Sequence, residues 1–373
     1  MDGNAYKTEK INKIRWKPEI NEEPQHILTG NNKIVLWQLV KDAPKLFKIR
    51  EYPYCGAVTE IKFLNTELFA SSSSSGSAHI MGFSGSGIAG PLIQDYVTWK
   101  HIHYFKNGNP SPCTALAVHD PSPFTAVAAN NFDVATVGED GRINILTAES
   151  TAVVRTIDNA DTCAIKCVTY VTRDQILTSN QLGVMKSWDQ RSDTNQPISI
   201  FMNRRAAVVS QITHLTCHPT QRYIMVAGDE WGIMTSWDLR QNKHPVNILS
   251  AHKGAISAIH FDQERADHLF SCSQDGKILH WSPKTKTQFM VGDNTNNPWL
   301  LPEQHVNDKL KVTSFGYPTQ TPFNCMDISG NRIVCGCDST GGKHMEGIRF
   351  YQPTLKYLPL LSLSNNSKDL RML

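Results

Sequence analysis

The chain has 373 residues, 40% of them hydrophobic, and its 37 lysines and arginines nearly balance 34 aspartates and glutamates, for a formal net charge of +3. This composition supports a sizeable core, and the absence of long like-charge runs argues against a nucleic-acid arm or a basic membrane helix. No apolar run approaches the roughly 18 residues that span a bilayer, and residues 1–13 lack the apolar centre of a signal peptide. We therefore expect a soluble, intracellular protein.

Short alternating segments recur along the whole chain. Each is rich in β-branched and aromatic residues and is bounded by Gly, Asp or Asn, which is the pattern of a strand followed by a turn. The first strand of each unit is predicted at 13–18, 58–63, 114–118, 164–170, 212–218, 255–261 and 323–328. A second short apolar run follows each of them, so the sequence indicates a repeated β unit.

Regularly spaced glycines mark the third strand of these units. Gly141, Gly183, Gly232 and Gly276 are 42, 49 and 44 residues apart, and a large apolar residue follows each glycine after five positions. Those residues are Leu146, Trp188, Trp237 and Trp281. A fourth, more exposed run follows most of them, and four strands in each of seven units predict an all-β, seven-bladed propeller of the WD40 type.

The same spacing predicts the domain organisation. We expect one propeller over residues 1–353, with inserted loops at about 82–113 and 283–322, and a C-terminal tail at 354–373. The last unit lacks a clear outer strand. We expect the N-terminal segment, roughly 5–11, to supply it and close the ring, because closure removes an exposed sheet edge.

Four residues of the sixth unit match the polar network of WD propellers. His252, Ser273, Asp275 and Trp281 have the spacing at which these propellers join His, Ser/Thr, Asp and Trp across three strands. Trp188 and Trp237 are predicted to be buried at equivalent positions. A catalytic His-Ser-Asp interpretation is disfavoured, because a nucleophile must be exposed in a cleft next to its base.

Other chemistry-bearing patterns are incomplete. The Gly-rich stretch 83–90 lacks a following Lys-Ser/Thr, and His101 and His103 lack further metal ligands. The nine cysteines are scattered and odd in number, which favours reduced, buried side chains over a disulfide framework. We therefore predict no enzymatic activity, no cofactor and no metal.

Two features suggest partner binding. The phrase Ser-Trp-Asp-x-Arg occurs twice and places Arg191 and Arg240 just past a third strand, where each arginine serves either as a docking residue or in an ion pair within its own blade. The insertion 283–322 carries Trp299 and Leu300 in a polar context. These two residues either anchor a partner or pack back onto their own blade.

Several longer strings resemble one family. "KINKIRWKP" (10–18), "VGEDGRIN" (137–144), "AVVRTIDNAD" (152–161) and "HLFSCSQDGKILHW" (268–281) are similar to the WD-repeat nucleoporins of the Y-shaped outer-ring subcomplex of the nuclear pore. The resemblance covers nearly the whole chain. Departures are Ala251, where WD repeats often have Gly, the 283–322 insertion and the extended tail.

The resemblance implies a non-enzymatic scaffold subunit at the nuclear envelope. It would dock, as a monomer within a hetero-oligomer, onto the α-solenoid stem nucleoporin of the short arm of the Y complex, beside other outer-ring nucleoporins. It would support transport of protein and mRNA and visit kinetochores in mitosis, without direct nucleic-acid contact or membrane insertion. The alternative is a substrate receptor of a cullin-type ubiquitin ligase, which would use the Asp-x-Arg phrases.

Overall fold

The fold was examined in a computed structural model. It describes residues 10–18, 26–39, 46–84, 92–99, 102–103, 105–118, 133–147, 152–202, 204–205, 208–240, 244–284, 297–301, 309–315, 321–330, 332–337 and 348–351. Strands alternate with short turns throughout this part of the chain, as the period-two patterning predicts.

The first four sheets each have four antiparallel strands in chain order. Their strands are β1 (Lys13–Trp16), β2 (His26–Gly30), β3 (Lys33–Leu39) and β4 (Leu46–Pro53); β5 (Val58–Phe63), β6 (Leu68–Ser73), β7 (Ala78–Ser84) and β8 (Leu92–Trp99); β9 (Cys113–Val118), β10 (Asp133–Gly138), β11 (Ile143–Thr147) and β12 (Val153–Ile157); and β13 (Ile165–Tyr170), β14 (Gln175–Asn180), β15 (Val184–Asp189) and β16 (Ser199–Met202).

A two-stranded hairpin, two further four-stranded sheets and a three-stranded sheet follow. Their strands are β17 (Arg204–Arg205) and β18 (Val208–Val209); β19 (Ile212–Cys217), β20 (Ile224–Asp229), β21 (Ile233–Asp238) and β22 (Asn247–Ser250); β23 (Ile256–Phe261), β24 (Leu269–Ser273), β25 (Ile278–Pro283) and β26 (Leu310–Phe315); and β27 (Phe323–Ser329), β28 (Arg332–Cys337) and β29 (Ile348–Tyr351). A 3-10 turn, Pro298–Leu300, precedes β26.

Burial is highest in the middle strands of a sheet. All six residues of β20 and of β21 are buried, whereas the innermost strand β19 has two buried residues and the outer strand β4 has none. The middle strands are buried because each sheet is covered by its two neighbours, and the core lies between adjacent sheets. One such cluster joins Met234 and Leu249 to Ile259, Leu269 and Trp281.

The first strands of the sheets form a closed ring around a central channel. Each of β1, β5, β9, β13, β19, β23 and β27 contacts the next, and β27 contacts β1. The closing contact is made by polar groups as well as by packing. The backbone N–H of Trp16 donates to Asp327 over 2.7 Å, and the Arg15 guanidinium donates to the Met326 carbonyl over 3.4 Å.

The propeller prediction is confirmed, but the number of complete blades is corrected from seven to six. Six sheets have four strands, and the sheet β27–β29 has three among the described residues. Of the predicted closing strand at 5–11, only Lys10 and Ile11 are described, and neither is in a strand. The Ile11 side chain packs beside Cys325 and Val334 in the core between the last sheet and the first.

The two predicted insertions contain strands. The outer strand β8 lies within 82–113, and the outer strand β26 lies within 283–322. Sequence patterning missed β26 because four of its six residues are exposed, so it lacks the alternation of a half-buried strand. The domain limits 1–353 stay a prediction, and the predicted tail at 354–373 lies outside the described residues.

A β-bulge recurs in the first strand of six sheets. The register of each strand shifts by one residue near its start, and the extra residues are Thr59, Thr114, Lys166, Thr213, Ser257 and Asn324. A bulge re-aims a side chain, and here the position is always polar. The Thr114 hydroxyl donates to the Ile165 carbonyl of the next blade over 2.5 Å, and the Thr213 hydroxyl donates to Ile256 over 2.6 Å.

Candidate functional site

The sixth blade, β23–β26, contains a continuous polar chain across its strands. The Trp281 indole N–H donates to the Ser271 hydroxyl over 3.1 Å, and that hydroxyl lies 2.8 Å from Nε2 of His252. Nδ1 of His252 lies 3.2 Å from both carboxylate oxygens of Asp275. The Asp275 carboxylate can only accept, so we assign the imidazole proton to Nδ1, facing Asp275. Nε2 of the neutral ring then accepts from the Ser271 hydroxyl.

The serine of this network differs from the predicted one. Ser271, not Ser273, lies between the histidine and the indole, while the Ser273 hydroxyl donates to the Gly254 carbonyl over 2.8 Å and accepts from the Asp275 backbone. Both serines are on one face of β24, so alternation does not distinguish them. Ser271 is mid-strand within reach of both rings, whereas Ser273 is at the turn. Ser271 is fully buried, which leaves no open cleft for a nucleophile.

The third blade, β9–β12, has a related network in which the pKa of the histidine is shifted in the opposite direction. Nδ1 of His103 lies 3.0 Å from Asp140, and Nε2 lies 3.1 Å from the Thr136 hydroxyl. Burial disfavours the imidazolium, but Asp140 and Cys113, through hydrogen bonds and charge, together outweigh burial and raise the pKa of His103 to about 9. In His252 burial prevails over the attraction of Asp275, and the pKa is lowered.

The difference between the two histidines has a structural explanation. Leu146 occupies the position in the third blade that Trp281 occupies in the sixth, so no indole N–H donates to Thr136. The larger difference is in the neighbouring groups: Asp140 and Cys113 both favour the His103 imidazolium, whereas only Asp275 favours that of His252. His103, weighed above as a metal ligand, is a fully buried structural residue.

The third-strand tryptophans, Trp188, Trp237 and Trp281, are buried as predicted, with exposed fractions of 2%, 0% and 5%. Their indole N–H groups donate to hydroxyls of Thr178, Thr235 and Ser271 over 3.0 to 3.1 Å. The turn glycines before them have a left-handed backbone, with φ of +71° to +83°. At Gly232 an added Cβ would lie 2.4 Å from the His252 carbonyl, which is why this position requires glycine.

Both Asp-x-Arg pairs form ion pairs within their own blades. The Arg191 guanidinium binds both carboxylate oxygens of Asp189, at 3.1 and 3.0 Å, and reaches Asp174 at 3.2 Å. Arg240 binds Asp238 in the same two-pronged way, at 2.9 and 2.6 Å, and stacks 3.6 Å over the Tyr223 ring. The Arg191 side chain is 68% exposed and that of Arg240 is 36% exposed.

Trp299 is a structural residue, contrary to its assignment as a candidate partner anchor. It is fully buried, its ring packs edge-on against Phe261 at 5.6 Å, and its indole N–H donates to the Asp267 carbonyl over 3.1 Å. Its own carbonyl accepts from Ser236 and Asn247 of the fifth blade. Leu300 is half-buried against the same core, so the insertion packs back onto the propeller.

The exposed apolar side chains were not singled out from the sequence. Leu182 and Trp231 are 51% and 62% exposed, and they occupy the same position, directly before the turn glycine, in the neighbouring fourth and fifth blades. Val154 and Ile198 are 60% and 58% exposed on or next to outer strands of the third and fourth blades. The sequence does indicate that Leu182 and Trp231 are exposed, because a side chain directly before a turn glycine lies in the turn and cannot pack into the core.

Among the residues that the structure describes, no three His, Cys, Asp or Glu side chains converge to hold a metal ion. The same part of the chain contains no helix with the length and apolarity needed to cross a membrane.

Comparison with known proteins agrees with this architecture. The family model described as "WD domain, G-beta repeat" matches residues 243–282, which contain the polar network of the sixth blade. "Nucleoporin Nup43" of Homo sapiens is 29% identical over 89% of this chain and 95% of its own length, and that of Mus musculus is 28% identical over the same shares. "Nuclear pore complex protein nup43" of Dictyostelium discoideum is 27% identical over 55% of this chain and 51% of its own.

The similarity therefore extends across the propeller and is not confined to one repeat. The segment matched by the repeat model ends directly after the buried Trp281 of β25. The human and mouse relatives align with most of the chain, far beyond this segment. The chain is a WD-repeat β-propeller that is similar along most of its length to the proteins named Nucleoporin Nup43.

Proposed function

We propose that the chain is a non-enzymatic scaffold subunit of the nuclear pore complex that binds protein partners through its propeller surfaces. The observation that carries this proposal is the similarity to nucleoporins along 89% of the chain. The buried, mutually saturated His252 network supports the non-enzymatic part, because its hydroxyl and imidazole are committed to packing.

The finer proposal follows the resemblance in the sequence. The chain docks onto the α-solenoid stem nucleoporin in the short arm of the Y-shaped outer-ring complex, at the nuclear envelope, beside other outer-ring nucleoporins. In this position it supports transport of protein and mRNA, with a further role at kinetochores in mitosis. A closed ring of sheets suits this function, since a rigid surface loses little conformational entropy on binding.

Trp231 and Leu182 are the best-supported contact residues for the stem. They are the exposed apolar side chains at equivalent turns of adjacent blades, and aromatic residues dominate the energetics of protein interfaces. A buried tryptophan anchor typically contributes 2 kcal/mol or more, so Trp231→Ala should weaken binding of the stem about 30-fold. Thr172→Ala, on the opposite turns of the fourth blade, is a suitable control.

The alternative function, a substrate receptor of a cullin-type ubiquitin ligase, depends on Arg191 and Arg240. Arg191 supports it to the extent that its side chain is largely exposed, although both guanidinium groups already bind the aspartate of their own phrase. In the ligase function Arg191→Ala and Arg240→Ala should abolish adaptor binding. In a scaffold these ion pairs contribute only about 0–1 kcal/mol, and the variants should keep all partners.

The deciding experiment is affinity purification of the tagged full chain from its own cells, with partners identified by mass spectrometry. Near-stoichiometric recovery of outer-ring nucleoporins, retained by the two arginine variants and reduced by Trp231→Ala, supports the scaffold function. Recovery of a cullin and its adaptor without pore subunits, lost in the arginine variants, supports the ligase function and refutes the scaffold.

A further inference from the structure

The ring brings together a charged cluster that is dispersed in the sequence. Glu60 of β5 binds two cations of β1, Lys13 at 2.9 Å and Arg15 at 2.6 Å. Arg15 also donates to the carbonyls of Ile61 and Met326, and so ties together the first, second and last sheets. The cluster lies where the first strands meet, so it lines the central channel.

Positive charge exceeds negative charge in this channel. Lys13, Arg15 and Lys62 carry three positive charges against the two carboxylates of Glu60 and Asp327, and Lys10 at the mouth makes four against two. Glu60 serves two cations, and Asp327 accepts the Trp16 backbone N–H. Among these described residues the excess is one charge within the cluster, where solvent compensates charge poorly, and Lys10 adds a second at the exposed mouth.

The half-buried side chains of Lys62, His214 and His260 respond to this excess. Burial and the neighbouring Arg15 lower the pKa of Lys62 to about 8. Burial and the charges of Lys13 and Lys62 lower the pKa of His214 to about 3, and burial with His214 and Arg15 also lowers that of His260. Both histidines are therefore neutral at physiological pH, and the cluster holds a charge that an added anion would stabilise.

An open cavity of about 270 Å3 leads into the cluster. Its nine lining residues include Lys10, Lys13, Gln274, Ser257 and Asn324, and none of the nine is acidic. Ser257 and Asn324, with Thr213, are the extra residues of the bulges in β23, β27 and β19. The repeated bulge thus places Ser257 and Asn324 of two neighbouring blades in the same lining as the two lysines, whereas the Thr213 hydroxyl already donates to the Ile256 carbonyl.

We propose that this mouth of the central channel binds a small polyvalent oxyanion of the phosphate class. Ammonium, amide and hydroxyl groups are donors suited to phosphate oxygens, and charge-assisted hydrogen bonds are the strong ones. The cavity, at about 270 Å3, is just below the range of about 300–1,000 Å3 typical of ligand pockets, which favours a compact anion over a nucleotide. The inference is independent of the scaffold function, because it concerns the channel and not the outer surfaces.

The test is isothermal titration calorimetry of the full chain with sodium pyrophosphate, against sodium chloride at equal ionic strength. We expect one saturable site with a Kd of about 1 mM or tighter. Lys10→Gln and Gln274→Glu should each weaken binding about tenfold, since each removes or opposes one charge-assisted contact. Both residues are exposed, so folding should be retained. Lys253→Gln, an exposed lysine outside the lining, is the matched control.

A second variant tests the charge excess itself. Lys62→Met removes a charge that burial destabilises, so the ligand-free protein should unfold at a higher temperature while pyrophosphate binds more weakly. Absence of saturable binding, or binding that Lys10→Gln and Gln274→Glu leave unchanged, overturns the proposal, because the anion then lies elsewhere or is not bound. A lower unfolding temperature for Lys62→Met overturns the charge argument on which the proposal depends.

Discussion

Trp299 offers a direct test of the core between the fifth and sixth blades. Its side chain is fully buried, packs edge-on against Phe261 and donates to the Asp267 carbonyl. Trp299→Ala removes the buried ring and leaves a cavity, which costs about 3–5 kcal/mol for an aromatic residue. About 1 kcal/mol of that loss is the hydrogen bond and about 0.5–1.5 kcal/mol the aromatic pair.

The expected loss can be read as a shift of the thermal midpoint. An unfolding entropy of about 2.1 cal/mol/K per residue gives about 0.8 kcal/mol/K for the chain, so each kcal/mol corresponds to about 1.3 °C. Trp299→Ala should therefore lower the midpoint by about 4–6 °C in circular dichroism. Trp299→Phe keeps a ring against Phe261 and should lose about half as much. Trp231→Ala, which removes an exposed indole, is the matched control and should shift the midpoint by less than about 1 °C.

The opposite pattern would refute the packing argument. If Trp299→Ala melts like the unaltered protein while partner recovery falls, Trp299 is an interface residue and the contact with Phe261 is not maintained in solution. If both tryptophan variants destabilise equally, the exposed position of Trp231 is wrong.

Three further predictions concern the blade networks. Each third-strand tryptophan replaced by Ala should lower the free energy of unfolding by about 3–5 kcal/mol in urea titrations, and an unchanged midpoint would contradict the strand register. Ser271→Ala should cost about 2–3 kcal/mol, because it leaves two buried partners unsatisfied, and Ser273→Ala about 1 kcal/mol; equal losses would refute this network. Because the folded-state pKa of His103 is raised from 6.5 to about 9, its stabilisation is complete below pH 6.5 and is lost as the pH rises towards 9. The free energy of unfolding from urea titrations should fall across this window by on the order of 1–3 kcal/mol, and His103→Gln should abolish that fall.

The repeat could be predicted because its determinants are local. Alternation, turn glycines and the apolar residue five positions later are all read within a short window, and the structure buries Trp188, Trp237 and Trp281 accordingly. The outer strand β26 was missed for a related reason. Four of its six residues are exposed, so its sequence carries less of the alternation on which such predictions depend.

Residue spacing alone did not predict which serine belongs to the polar network of the sixth blade. Ser271 and Ser273 share a strand face and a residue type, so the choice between them depends on how the loop carrying His252 crosses the blade. Trp299 is a similar case, since the sequence left open whether it anchors a partner or packs onto its own blade, and its partners Phe261 and Asp267 lie more than thirty residues away in sequence.

The sequence by itself determined the all-β repeat, the buried third-strand tryptophans and the resemblance to nucleoporins, because each of these is written in neighbouring residues. Only the tertiary structure decided what the ring brings together. Lys13, Glu60 and Asp327 are unremarkable charges in three separate strands until closure sets them around one channel. Their combined field depends on distances across the ring, and a linear sequence does not contain those distances.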